Sequence, residues 1–253
     1  MVYDLQKANM WKRISAWMFD IILTAILAIG VAILLSGLMG YDKTSRQMDE
    51  IYDKYGTLYG VDFEISQSDY QTLSQEELQR YEAATKAMNA DAQAVEVFNR
   101  LVQLSLLVTT LGIFFAIFIW EFLIPLGLGD GQTLGKKIFG PCLMRSDKVK
   151  VSNFQLFARA VLGKFAIETM IPVFILEMIF WGTMGVMGTV ILFALLIAQC
   201  VSLIATQTNS ALHDLIAVTV VVDRNSQMIF KTSEDLIEYQ KQVAAELAAR
   251  ATY

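Results

Sequence analysis

Asp20 is the first residue in this chain that could do chemistry, because it stands inside oil. Between Ile14 and Gly40 it is the one charged residue. A carboxylate at such a depth costs ~2.5–3.5 kcal/mol on insertion scales, so it needs a partner or a task. Arg13 lies two helical turns earlier on the same face, ~10 Å along the axis. Glu121, Glu168 and Gln199 sit near the ends of later apolar runs, with Lys136, Lys137, Arg159, Lys164, His213 and Asp214 close to those runs in sequence. Two acids sharing a low-dielectric site raise one pKa and can bind a proton or a cation. Asp20 with Glu121 or Glu168 is therefore a candidate carboxylate site, with Arg13 and Arg159 holding Asp20 and Asp214 or competing with the cation for them. A second reading uses the same residues. Arg13, Asp20, Arg159 and Asp214 would form a neutralising network that fixes helix register, since the planar guanidinium binds a carboxylate at two points.

Other chemistries fit less well. His213 is the one histidine, and no serine–histidine or multi-histidine arrangement exists, so no enzyme activity, metal or cofactor is expected. The one histidine reads as a helix-end or turn residue rather than a ligand. Cys142 and Cys200 form no Cys-x-x-Cys and read as free thiols packed among apolar groups. The methionines Met170, Met178, Met184 and Met187 are scattered among bulky apolar residues, as packing or lipid-facing side chains are. Residues 127–140 are rich in glycine and lysine, which invites a phosphate-loop reading. Such a loop needs Gly, four residues, Gly-Lys and then Ser or Thr. Counting back from Gly135 lands on Asp130, and Lys137 replaces the hydroxyl residue. The segment reads instead as a tight basic surface stretch with Leu134, Ile138 and Phe139 dipping into a membrane interface.

The elements that must position these residues are helices. Of 253 residues, 55% are hydrophobic and only 18% charged, with mean hydropathy +0.46. That is more apolar and less charged than a soluble domain. Apolar runs at residues 14–38, 101–123, 165–181 and 186–205 predict an all-α, four-transmembrane-helix bundle, the first run long enough to cross ~30 Å of hydrocarbon with tilt. A cleaved signal peptide is not expected, because the first run is too long and holds an acid. Gly182, Gly185 and Gly188 at the last hairpin would let two helices approach closely.

Residues 41–99 form a polar insert; counted through Arg100, twelve acids there oppose six bases. Ser74-x-x-Glu77 predicts a capping box, and no proline or glycine follows until Gly112. The helix begun there is expected to run unbroken into the second span, or to kink near Asn89-Ala90-Asp91. Residues 219–222 are β-branched enough for a short extended piece, and residues 224–253 form a tail with an amphipathic helix. Bases cluster at the amino end, in residues 136–164 and after residue 223. The positive-inside rule then places both termini in the cytoplasm and the insert outside. Asp20, Glu121, Glu168 and Gln199 would all fall in the cytoplasmic third, with Glu177 deeper.

Arg13 and Asp20 in the first span, and Asp214 in Leu212-His213-Asp214-Leu215-Ile216-Ala217-Val218-Thr219, resemble the RDD family, named for one arginine and two aspartates. Gly131-Gln132-Thr133-Leu134-Gly135-Lys136-Lys137-Ile138-Phe139-Gly140 is similar to that family's linker motif, and Phe157-Ala158-Arg159 to its following helix. The likeness covers residues 8–40 and 100–223, leaving the insert and tail outside it. Ala217-Val218-Thr219 departs from the more usual Ala-Gly-Thr. The resemblance implies a multi-pass protein of the bacterial cytoplasmic membrane, some relatives acting as sodium–proton antiporters and others as accessory parts of membrane assemblies. Two functions are expected to compete: a small cation-coupled or small-solute transporter, and a non-transporting scaffold. The expected partners are the lipid bilayer, further copies of the chain, and a protein reached through the insert or the C-terminal helix. Nucleic acid is not among them.

Overall fold

The structure, a computed structural model, describes residues 5–180 and 184–251. A short extended stretch leads into α1 (Met10–Met39), which ends at Gly40 with φ 75°. Next come α2 (Tyr41–Tyr59), α3 (Gln67–Tyr70) and α4 (Gln75–Ala90). After them, α5 (Ala92–Phe118) continues through a π-helical turn at Ile119–Leu123 into α6 (Ile124–Leu128). Beyond α7 (Leu134–Phe139) and β1 (Pro141–Arg145), one helical run is built from α8 (Asn153–Phe157), a π-helical segment at Ala158–Met170 and α9 (Ile171–Phe180). The chain closes with α10 (Gly185–Ala205), α11 (Leu212–Ile216), β2 (Thr219–Asp223) and α12 (Ser233–Ala251). Two compact units result, residues 29–112 and the remainder of the chain.

Three helices are long and apolar enough to cross a membrane: Met10–Met39, Ala92–Leu128 and Gly185–Ala205. The shortest, at 1.5 Å per residue, is ~30 Å long. Their large apolar side chains face outward, as Ile22, Ile26, Ile29 and Ile33 do on α1 and Val186, Phe193 and Ile197 on α10. That is the reverse of a water-soluble helix and suits a lipid solvent. The run expected to span at residues 165–181 is helical to Phe180 but carries Glu168 and Glu177, with Lys164 immediately before it. Trp181, Gly182 and Thr183 of the expected hairpin lie outside the described residues. Gly188 is packed so closely that a Cβ would lie 2.7 Å from Ile179.

The all-α expectation needs correcting. β1 and β2 pair antiparallel, from Pro141 opposite Asp223 to Arg145 opposite Thr219, and Lys7 bridges Val222 on the outer edge. Alternation decides the two faces. Cys142, Met144, Val220 and Val222 pack together with Leu5 and Ile229, whereas Leu143 and Val221 face Ala8, Val151 and Leu156. Both faces are covered, so β1 shows no polar alternation in sequence.

In the insert, the capping box forms: Ser74 Oγ accepts from Glu77 N–H at 3.3 Å, and Glu77 Oε2 accepts from Ser74 N–H at 2.8 Å. The helix does not run unbroken into α5. Asp91 is extended (φ −81°, ψ 114°), and its carboxylate accepts the Gln93 N–H and the Tyr55 hydroxyl, both at 2.9 Å. An aspartate offering the backbone a local bond is a helix start, and here it overrides helix continuity. Met48, Ile51, Tyr55 and Ala94 form the small core. The tail helix α12 is mostly exposed, touching its surroundings where Tyr239 meets Phe230.

Candidate functional site

Asp20 is buried, and its carboxylate is fully occupied by neutral donors. Oδ1 accepts from Trp120 Nε1 and from the Gly135 N–H, each at 2.9 Å, and Oδ2 accepts from Thr133 Oγ1 at 2.5 Å. Glycine is obligatory at 135: a Cβ would lie 2.8 Å from Asp20 Cγ and nearer still to the Ala16 carbonyl oxygen. Thr133 serves twice, since its hydroxyl also caps α7 by accepting from Lys136 N–H at 3.3 Å. The glycine-rich segment is thus not a surface stretch throughout. Gln132, Thr133, Gly135 and Lys136 are buried against the protein, while Leu134, Lys137 and Ile138 face outward.

The other charges gather around Arg159, which is only 2% exposed. Its Nε donates to Asp214 Oδ1 at 2.9 Å, Nη1 to Glu121 Oε2 at 2.8 Å and Nη2 to His213 Nε2 at 2.7 Å. A guanidinium can only donate, so Nε2 accepts and the imidazole proton is on Nδ1. From there it is given to Glu168, at 2.7 Å. Burial first, then the Arg159 charge, hold His213 below its ordinary pKa, in keeping with that neutral tautomer. Glu121 is 3% exposed, and Lys164 bonds its other oxygen. Arg13 approaches Asp214 at 4.0 Å. Gly163 lets α11 close on this helix, since a Cβ there would lie 2.5 Å from His213 Cβ. Gln199 Oε1 accepts the Leu212 N–H at 3.2 Å.

Lys136 completes the cluster differently. Its ammonium is buried, makes no hydrogen bond among the described residues and has Glu121 Oε2 at 3.8 Å as its salt-bridge partner. Burial lowers its pKa to about 8, with Arg159 and Lys164 adding to the effect and Glu121 and Asp20 opposing it. With His213 neutral, Arg13, Lys136, Arg159 and Lys164 balance Asp20, Glu121, Glu168 and Asp214.

Arg13, Arg159 and Asp214 pair as the network reading expects, but Asp20 stands apart from it. Asp20 pairs with neither Glu121 nor Glu168, and no arginine bonds it. Glu121 and Asp214 share Arg159, Glu168 takes His213, and Lys137 stays outside. Trp120, Thr133 and Gly163 were not anticipated as site residues. Thr133 had a visible signal, standing three residues before Lys136 as a helix cap does. Helix type brings the set together. In an α-helix, five residues turn ~140° past a full turn and nine lie ~180° apart, so Arg159, Lys164 and Glu168 would diverge. Closing bonds at i→i+5 turns them toward one side. Among the described residues, no group of three or more His, Cys, Asp or Glu is placed to hold a metal ion.

A family model matches residues 7–218, a stretch holding Arg13, Asp20, the glycine-rich segment, Arg159 and Asp214. The chain belongs to the RDD family. No curated protein and no solved structure matches it. Within this RDD protein the arginine and the two aspartates do not form one triad. Arg13 and Asp214 pair within the charge cluster, whereas Asp20 adds its charge beside Lys136 and clamps the linker motif to α1 through neutral donors.

Proposed function

We propose that this RDD membrane protein is a small exchanger of a monovalent cation for a proton. It would cross the bacterial cytoplasmic membrane four times, with both termini and the charge cluster on the cytoplasmic side. The observation that carries this reading is a charge-balanced set of buried ionisable groups in a protein whose long helices face lipid. Intramembrane ionisable groups mark ion or proton paths. A balanced set can lose one proton and take up one monovalent cation without ever holding a net charge in a poor dielectric. The exchanging carboxylate is Glu121, whose partners Arg159, Lys164 and Lys136 are all charged, rather than Asp20, whose three donors are neutral.

The sheet supports an even number of crossings. β1 and β2 are hydrogen-bonded, which favours a pair of crossings, out and back, between them. On that reading the helix of residues 153–180 crosses with α10, despite its four charged residues. The bridge from Lys7 to Val222 argues likewise for α1 and the α5–α6 helix.

Reconstitution tests the exchange. Protein in proteoliposomes with an imposed sodium gradient should drive proton counterflow, read by an entrapped pH dye. A rate no higher than in protein-free vesicles with sodium, lithium and potassium would remove the exchanger reading. A scaffold role has its own support in an open groove of about 700 Å³ on the insert, lined by Asn89, Glu96, Asn99, Arg100 and Gln103. It predicts a stoichiometric partner that is lost when residues 42–99 are deleted.

A further inference from the structure

We infer that the first half of α5 is a contact surface for a second copy of this chain, the two standing side by side in one membrane with each Gln103 against its own counterpart. The contact needs only that α5 crosses a membrane, and it holds whether or not the protein exchanges cations.

Gln103 lies two residues inside the apolar run that begins at residue 101, and its side chain is exposed. With Glu96, Asn99 and Arg100 it lines the open groove on the insert. Among the described residues, these four side chains make no hydrogen bond or ion pair. Water satisfies such groups outside the membrane. At the edge of hydrocarbon an amide lacks that source and gains by meeting another amide across a helix pair. A carboxylate or an ammonium repels its own copy, whereas an amide both donates and accepts and can bond to itself.

Helix geometry gives the surface its line. Ala92, Glu96, Asn99, Gln103, Leu106 and Thr110 follow one another at alternating steps of four and three, and all but Thr110 are exposed. At ~100° per residue they keep within a sector of roughly 80°. That is the seam along which two helices pack lengthwise. Copies inserted the same way up in one membrane close as a pair about an axis along its normal. The two α5 helices then run parallel, and equal residue numbers meet. Glu96 lies ~20° to one side of Gln103 and Asn99 ~40° to the other. The two-fold therefore sets Glu96 of each copy against Asn99 of the other, an amide N–H facing a carboxylate. Arg100, one turn along the same helix, leaves the seam without net charge. A different protein in the groove would not put equal residue numbers face to face.

The test is oxidative crosslinking of the full chain in native membranes, with Cys142 and Cys200 replaced by alanine. A disulfide needs Cα atoms within about 7 Å of each other. Gln103→Cys should give a covalent dimer. Ser105→Cys, exposed but ~160° around the helix, should give none. Equal crosslinking at both positions, or none at Gln103→Cys, overturns the seam. A product joining Gln103→Cys to a different protein overturns the second copy as occupant. A second measurement keeps the natural cysteines, in case the cysteine variants do not insert. Donor- and acceptor-labelled copies are diluted in liposomes and their energy transfer is followed. Gln103→Leu, which suits lipid better, should need roughly tenfold more protein per lipid for half-maximal transfer. A midpoint that is unchanged or lower overturns the pairing through Gln103.

Discussion

Val218 carries a β-branched side chain in the left-handed region, with φ 55°, at the turn joining α11 to β2. An L-residue there loses ~1–2 kcal/mol to the clash of Cβ with the following carbonyl. Glycine adopts it freely, giving back ~0.5–1 kcal/mol through its more disordered unfolded chain. The side chain is 57% exposed, so little apolar burial is at stake. Val218→Gly should therefore raise the midpoint of thermal unfolding in detergent, by a stability gain of ~0.5–1 kcal/mol. An unchanged or lower midpoint would refute the strain. This position was legible beforehand, as a valine where the family's usual pattern has glycine. Asp20 was legible too, as a charge in an apolar run. Its partners were not. A reading that counts charges seeks an arginine, whereas the actual donors are an indole, a hydroxyl and a backbone N–H, none of which carries a charge.

At the scale of elements, the π-helical segment Ala158–Met170 aligns Arg159, Lys164 and Glu168. Sequence periodicity cannot reveal it, because the same residues read equally well as an α-helix. The register changes only when the tertiary contacts repay it. The capping box at Ser74 was readable because it is local; β1 was not, its two faces being covered by distant segments. Deleting Leu162, half exposed on this segment, should restore α-helical register and rotate Arg159 by ~100° against Glu168. His213 reports the result, since it is the one histidine in the chain and gives a single imidazole signal. In wild type, burial and Arg159 hold its pKa down. It should stay a neutral Nδ1–H tautomer as pH falls through ~6.5. In the deletion variant, protonation should move up toward the ordinary value. An unaltered nitrogen spectrum across that range would show that the π register does not set the cluster.

For the whole molecule, the segregation of acids and bases along the chain and the pairing of two strands bear on the same question from different directions. The positive-inside rule, applied to charge alone, would put the insert on one side of the membrane and residues 136–164 on the other. Strand pairing requires Pro141–Arg145 and Thr219–Asp223 to share a side. Neither argument uses the hydropathy of the helix at residues 153–180, whose Lys164, Glu168 and Glu177 make it the least obvious span. Cysteine labelling joins the two. With Cys142 and Cys200 replaced by alanine, single cysteines can be placed at Ser68, Ser146 and Ser226, all exposed. A membrane-impermeant maleimide added to intact cells should label Ser68→Cys at once. Ser146→Cys and Ser226→Cys should react only after permeabilisation, and together. Reaction of Ser68→Cys and Ser146→Cys from the same side would remove the charge-based orientation. If Ser146→Cys and Ser226→Cys react from opposite sides, the helix between β1 and α10 does not cross and the chain spans three times. The charge cluster could not then be assembled as described, because Arg159 and Asp214 would belong to different sides of the membrane.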